Sequence, residues 1–209
     1  MEYISKEFRV EVSAHHCHLT QKTLDALFYE GFDLDSHFRK PLSQHGQYAS
    51  DVRIDVEVVG KDGVIRSLKG LSILGPARTY NQVEISLTDA FSLRIEVPVR
   101  QSGKVQGSVP AVLISYSPDG SELHRVPIDC GVVAQKRHIH ISPEQAEDMG
   151  VKDGEIVAVE VSSPRDRNII FEDVVVRVDS TFDLSMHLDT DEGNACGISG
   201  TTTGRLVRL

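Results

Sequence analysis

Nine histidines lie in this 209-residue chain, and four of them form two His-x-His pairs, His16-Cys17-His18 and His138-Ile139-His140. On a β-strand, side chains at i and i+2 share a face, about 7 Å apart at the backbone. Two neutral imidazoles so placed can converge on one divalent metal, and a carboxylate can complete the shell. One pair alone is weak evidence, because exposed or core histidine pairs are common. Two copies in matching contexts are stronger. Each continues with an aliphatic residue, a hydroxyl residue and a helical pattern, Leu19-Thr20 in the first and Ile141-Ser142 in the second, 122 residues apart.

Other residues add to that chemistry. His187 stands in Met186-His187-Leu188-Asp189-Thr190-Asp191-Glu192. It reads either as part of a polar loop with solvated acids or as a third metal ligand whose neighbouring carboxylates orient imidazole N–H groups. Glu84, between Val83 and Ile85, points opposite to that apolar pair and on its own reads as a solvated strand residue. Arg78, in the loop Gly75-Pro76-Ala77-Arg78-Thr79-Tyr80, could hold a phosphate with forked hydrogen bonds. The run Gly193-Asn194-Ala195-Cys196-Gly197 is either a close-approach surface for a bulky ligand or a flexible turn. No Walker-type phosphate loop, dinucleotide fingerprint or GxSxG nucleophile elbow occurs. Cys17 lies between two candidate ligands and points away from their face, so no cysteine is assigned catalysis.

The elements that must position these residues are mostly short strands. Alternation of apolar and polar residues predicts strands at Phe8–Val12, Val52–Val58, Val83–Ile85, Leu93–Val97 and Ile156–Val161. Turn signals such as Lys61-Asp62-Gly63, Pro118-Asp119-Gly120 and Lys152-Asp153-Gly154 separate strand patterns. One helix is expected from Gln21 to Tyr29, capped by Thr20. A second is capped by Ser142, with Pro143 first, Gln145 completing a capping box and Gly150 as the stop. A shorter one is expected around Asp89–Phe91, capped by Thr88. Two related β-rich halves follow from the repeat, and many short strands with few helices favour small barrels over a sandwich.

Composition bounds the function. The net charge of −9 argues against general nucleic-acid binding while leaving room for a small anion beside local arginines. No run of 18 or more apolar residues is present, so no membrane-spanning helix is expected. Three widely spaced cysteines without a CxxC pair fit a reducing compartment.

Taken in order, several motifs resemble the propanediol-utilisation phosphate propanoyltransferases, a phosphotransacylase family of bacterial microcompartments. They are His16-Cys17-His18-Leu19, Leu42-Ser43-Gln44-His45-Gly46-Gln47-Tyr48, Leu74-Gly75-Pro76-Ala77-Arg78, Gln82-Val83-Glu84-Ile85-Ser86, Gln135-Lys136-Arg137-His138-Ile139-His140 and the segment around His187. The likeness runs from about Phe8 to Leu209. It implies a mainly β, pseudo-duplicated protein of two small β-barrel domains with short capping helices and the active site between them. Residues 1–13 and 135–209 would form a discontinuous barrel and residues 14–134 the other. The resemblance also implies two zinc ions per chain, one on His16, His18 and Glu84, the other on His138, His140 and His187. Arg78 would be the catalytic, phosphate-binding residue, and Ser13 and Asn194 would meet coenzyme A.

The implied reaction is acyl-CoA (propanoyl-CoA or acetyl-CoA) plus phosphate giving acyl phosphate plus coenzyme A. The rival readings are a dinuclear zinc hydrolase acting on a thioester and a structural-zinc protein of a microcompartment. A homo-oligomer and association with a microcompartment shell or lumen are implied too, with no nucleic-acid or membrane partner. The family usually has Arg immediately before its first His-x-His, where this chain has His15. About seven residues precede Phe8, too few for the amphipathic targeting helix that microcompartment members often carry. The expected location is therefore the cytoplasm, with the microcompartment lumen as the alternative.

Overall fold

The computed structural model describes residues 2–208. The first part of the chain runs β1 (Glu2–Tyr3), β2 (Phe8–Val12), β3 (His16–His18), α1 (Gln21–Leu27), a 3-10 turn (Leu34–His37), β4 (Phe38–Pro41), β5 (Tyr48–Val59), β6 (Ile65–Gly75), β7 (Gln82–Glu84), α2 (Leu87–Leu93), β8 (Val99–Arg100) and β9 (Val109–Tyr116). The rest runs β10 (Glu122–Gln135), β11 (His138–Ile141), α3 (Pro143–Met149), β12 (Ile156–Val161), β13 (Ile169–Val178), β14 (Ser185–Leu188), α4 (Thr190–Cys196) and β15 (Thr201–Arg208). The expectation of a mainly β chain with two small barrels and short helices holds.

Two compact units are present, one of His15–Leu42 and Gly46–Gln135, the other of Met1–Ala14, Ser43–His45 and Lys136–Leu209. In the first, β3-β7-β10-β9-β5-β6 closes on itself through the β6–β3 pairing, with β4 and β8 appended at the side. In the second, β11-β14-β2-β15-β12-β13 closes in the same way, with β1 appended to β15. Each has its own apolar interior. Leu24, Ile54, Leu71, Ile73 and Leu113 fill one, and Val10, Ile139, Val159, Val174 and Leu206 fill the other.

The two circuits correspond strand by strand, and so do their pairing directions. The His-x-His strand is parallel to one neighbour (β6 or β13) and antiparallel to the other (β7 or β14). That antiparallel neighbour then runs parallel to β10 or β2. In chain order the repeats are β2-β3-α1-β5-β6-β7-α2-β9 and β10-β11-α3-β12-β13-β14-α4-β15. Each repeat therefore gives its first strand to the barrel of the other. The registers confirm the match, since Val133 pairs with Glu84 and Glu11 pairs with His187.

Local sequence explains most elements. α1 starts at its Thr20 cap, and α3 has the Ser142–Gln145 capping box, Pro143 in its first turn and Gly150 at its end. α1 is shorter than expected, because its cap at Phe28 already leaves helical geometry. Two expectations need correction. The third helix is capped by Ser86 rather than Thr88, through a capping box with Asp89, and runs from Leu87 to Leu93. The alternating stretch Leu93–Val97 is not a strand. Leu93 ends α2, Arg94 caps it in the left-handed region, and the buried Leu93 and Val97 face the core without a ladder partner.

Closure of the second barrel depends on β15 changing partners at Gly204, which pairs with Phe8 of β2 on one side and Val161 of β12 on the other. A Cβ at this glycine would lie 2.9 Å from Val10 Cγ2 and 3.0 Å from Val159 Cγ1. Gly204→Val should therefore overpack the interior and cost about 1–3 kcal/mol. A melting temperature lower by roughly 2–4 °C per kcal/mol is expected for a chain of this size. Unchanged thermal unfolding would show that the closure tolerates a side chain there.

Candidate metal centre

In the first barrel, β3 turns His16 and His18 to one face while Cys17 between them packs into the core. Antiparallel pairing sets Glu84 of β7 opposite His16, and Gln82 opposite His18. One ligand atom from each of His16, His18 and Glu84 lies within 4.8 Å of the others. All three residues are buried, none more than 7% exposed. The reading of Glu84 as a solvated strand residue is thereby overturned. Its Oε2 is 3.3 Å from His16 Nε2 and makes no hydrogen bond, while its Oε1 accepts one from Gln82 Nε2. Gln82 is itself held, donating to Ser102 Oγ at 3.0 Å and accepting the Gly103 N–H at 2.7 Å. Its supporting role was missed in the sequence, although its place two residues before Glu84 on the same face is the signal.

In the second barrel, β11 presents His138 and His140, and β14 sets His187 opposite His138. Their ring centroids are 4.5–5.1 Å apart, and all three are buried. Again one ligand atom from each lies within 4.8 Å of the others. His138 Nδ1 donates to the Lys136 carbonyl at 2.9 Å, which leaves Nε2 with its lone pair, and that atom has no hydrogen-bond partner. His140 Nδ1 is 2.7 Å from Gln44 Nε2, and its Nε2 is 3.3 Å from Arg177 Nη1. His187 has Ser185 Oγ 3.1 Å from Nε2 and Glu11 Oε2 3.9 Å from Nδ1. Glu11 is a second residue missed in the sequence, where the alternation Phe8–Val12 offered only that it faces away from Val10.

The electrostatics suit a cation. Burial, then the neighbouring His16 and Arg78, hold His18 well below the usual imidazole range. Burial, then His187 and Arg177, do the same to His138, and His140 is lowered by burial and by the other two histidines. Neutral imidazoles with buried lone pairs are metal ligands in waiting, because an unpaired buried acceptor is costly and a metal satisfies it. The orphaned His18 Nδ1, Glu84 Oε2 and His138 Nε2 fit a metal in each triad. Cys17 is no nucleophile. Burial raises its thiol pKa, and its S–H meets the Ser72 carbonyl at 3.6 Å.

The remaining candidates are placed as follows. Arg78 lies at the end of a short parallel bridge to Thr20, its backbone N–H donating to the Leu19 carbonyl at 2.8 Å. It is half-buried, and its Nε has no hydrogen-bond partner. His15 is 3.3 Å from Asp89, the acid of the α2 capping box. Ser13 donates its N–H to the Leu188 carbonyl at 2.9 Å, and its own carbonyl receives Thr190 Oγ1 at 3.5 Å. Asn194 is exposed on α4.

That helix corrects the loop and flexible-turn readings of the sequence. Asp189 and Glu192 form its capping box, and Glu192 also pairs with Arg137 at 2.8 Å. These acids start a helix and hold a guanidinium, and burial raises the Asp189 carboxyl to about 6. The run Gly193–Gly197 is not a flexible turn, and its Asn194 and Ala195 are exposed. It is helical to Cys196, and a Cβ on Gly193 would fall 2.7 Å from Val12 Cγ2, so the glycine lets α4 pack on β2.

With two triads, the purified protein should carry about two metal equivalents per chain. His138→Ala should lower that to about one, read by elemental analysis. Equal metal content in the wild type and in His138→Ala would remove the second triad from consideration.

A family model described as "Phosphate propanoyltransferase" matches residues 9–199. A protein named phosphate propanoyltransferase from Sebaldella termitidis is 44% identical over 97% of this chain and 89% of its own length. One of the same name from Thermotoga maritima is 44% identical, covering 96% and 87%. Another from Listeria monocytogenes is 43% identical, covering 95% and 86%. Such a match, at this identity and over nearly the whole of each chain, shows the family: the chain belongs to the phosphate propanoyltransferases.

Proposed function

We propose that this enzyme interconverts propanoyl-CoA plus phosphate with propanoyl phosphate plus coenzyme A, using zinc ions held by the two triads. Family membership supports the reaction class, and the shared name of its relatives supports the propanoyl group. Acetyl-CoA is the next donor to test. The observation that carries the site is the orphaned Nε of the half-buried Arg78, whose charge acts on His18 of the first triad. A fixed cation with unspent hydrogen-bonding capacity beside a metal-ligand cluster is suited to a phosphate dianion.

In this reading His16, His18 and Glu84 hold one zinc, and His138, His140 and His187 hold the other. When bound, zinc supplies Lewis-acid polarisation of the thioester carbonyl and positive charge for the anions. Arg78 grips phosphate with its planar fork, offsets its charge and holds it ready for attack. A phosphate oxygen bonds to the carbonyl carbon as the C–S bond breaks, and coenzyme A leaves as its thiolate. Ser13 and Asn194 would contact coenzyme A. Burial keeps the Cys17 and Cys196 thiols protonated, the latter pushed up to about 11, so neither is given a covalent role. The proposed place of action is the cytoplasm, with the lumen of a bacterial microcompartment as the alternative that the resemblance supports.

Propanoyl-CoA should release coenzyme A only when phosphate is supplied, with propanoyl phosphate accumulating. Release at the same rate without phosphate, yielding free acid, would replace the transferase with a zinc hydrolase, whose nucleophile is water. Arg78→Ala should raise the KM for phosphate or lower kcat by at least about tenfold, the loss of a charged hydrogen bond being worth roughly 1.5–3 kcal/mol. Its zinc content should stay near wild type. Arg78→Lys should recover part of the loss, since it keeps charge without the fork. Wild-type phosphate kinetics in Arg78→Ala would withdraw the assignment.

A further inference from the structure

The motif Leu42–Tyr48 has no part in the reaction described above, yet its route is unusual. β4 and β5 form an antiparallel hairpin whose last pair is Pro41 with Tyr48, and the Leu42 N–H closes the neck on the Gln47 carbonyl at 3.0 Å. The hairpin belongs to the first unit, but its tip, Ser43–His45, belongs to the second. There it makes two polar contacts around the His138–His140–His187 triad. Gln44 Nε2 is 2.7 Å from His140 Nδ1. Ser43 Oγ donates to Glu11 Oε2, and the same oxygen is 3.9 Å from His187 Nδ1.

We propose that Ser43, Gln44 and Glu11 are positioning residues that set the orientation and tautomer of His140 and His187 for metal binding. This rests on the reading that the triad holds a metal. A neutral imidazole has one N–H, so a ligand nitrogen keeps its lone pair only if the other nitrogen carries the proton and has an acceptor. His138 already has one in the Lys136 carbonyl. The tip and β2 set polar groups beside the other two: Gln44 lies 2.7 Å from His140 Nδ1, and Glu11 Oε2 lies 3.9 Å from His187 Nδ1, an ion-pair rather than a hydrogen-bond distance. The Gln44 amide has a donor end and an acceptor end of nearly equal size, and its carbonyl end can accept the proton of His140 Nδ1. Glu11, which pairs with His187 across parallel strands, presents a carboxylate to His187 Nδ1, and Ser43 holds that carboxylate by its hydroxyl. The arrangement is a carboxylate–histidine–metal relay with the hairpin tip as its outer support.

The test is cobalt titration of the metal-free full chain, followed by its visible absorption, in the wild type and in Gln44→Ala, Gln44→Glu and Glu11→Gln. The equivalent owed to this triad is identified as the one missing in His138→Ala. Gln44→Ala and Glu11→Gln should each weaken that equivalent by about 10–100-fold and leave the other unchanged. Gln44→Glu keeps an acceptor oxygen and should restore most of the affinity. Two wild-type equivalents with undiminished affinity in both Gln44→Ala and Glu11→Gln would overturn the proposal alone. A wild-type chain that takes up no cobalt would overturn the metal reading and this proposal with it. Equal weakening of both equivalents would show a general structural effect and overturn it as well.

Discussion

The register between each His-x-His strand and its antiparallel neighbour is the constraint on which the structure turns. His16 faces Glu84 across one ladder, and His138 faces His187 across the other. Because strand side chains alternate with a period of two, the same ladders send Cys17, Val83, Ile139 and Met186 into the two cores. A slip of one residue would put ligands into the apolar interior and apolar residues onto the polar face. Packing therefore enforces the site. The burial that drives folding also brings the three polar side chains together and strips them of water.

Duplication explains why this arrangement occurs twice, and strand exchange explains how the copies are tied together. Neither repeat can close a barrel from its own strands, since β2 completes the barrel of the second repeat and β10 that of the first. Closing either barrel requires contacts between residues far apart in the chain, such as Glu11 with His187. Topologies rich in such contacts pay loop-closure entropy before pairing rewards it.

Chemistry has diverged within the shared frame. The residue opposite the first histidine is a carboxylate in one copy and an imidazole in the other. One strand further along, Val133 of one copy matches Glu11 of the other. The first triad thus carries its negative charge among the ligand candidates themselves. The second gathers three imidazoles and holds its carboxylate one step away.

The sequence by itself determined what short-range chemistry controls. The paired His-x-His motifs were legible because they repeat with the same cap and helix. α1 and α3 were legible from Thr20, Ser142, Pro143 and Gly150, and the strands Phe8–Val12 and Ile156–Val161 from alternation. Tertiary structure decided the rest, because burial and pairing partner are not local properties. Leu93–Val97 alternates yet lacks a partner, and Gly193 is small because Val12 of a distant strand lies against it. Asp189 and Glu192 look like loop acids until the helix they cap is formed. Glu84 has the sequence context of a solvated residue, and only the closed barrel buries it opposite His16. Ser43, Gln44 and Glu11 met at the second triad for the same reason: which strands close a barrel, and where a hairpin tip comes to rest, depends on contacts between segments far apart in the chain.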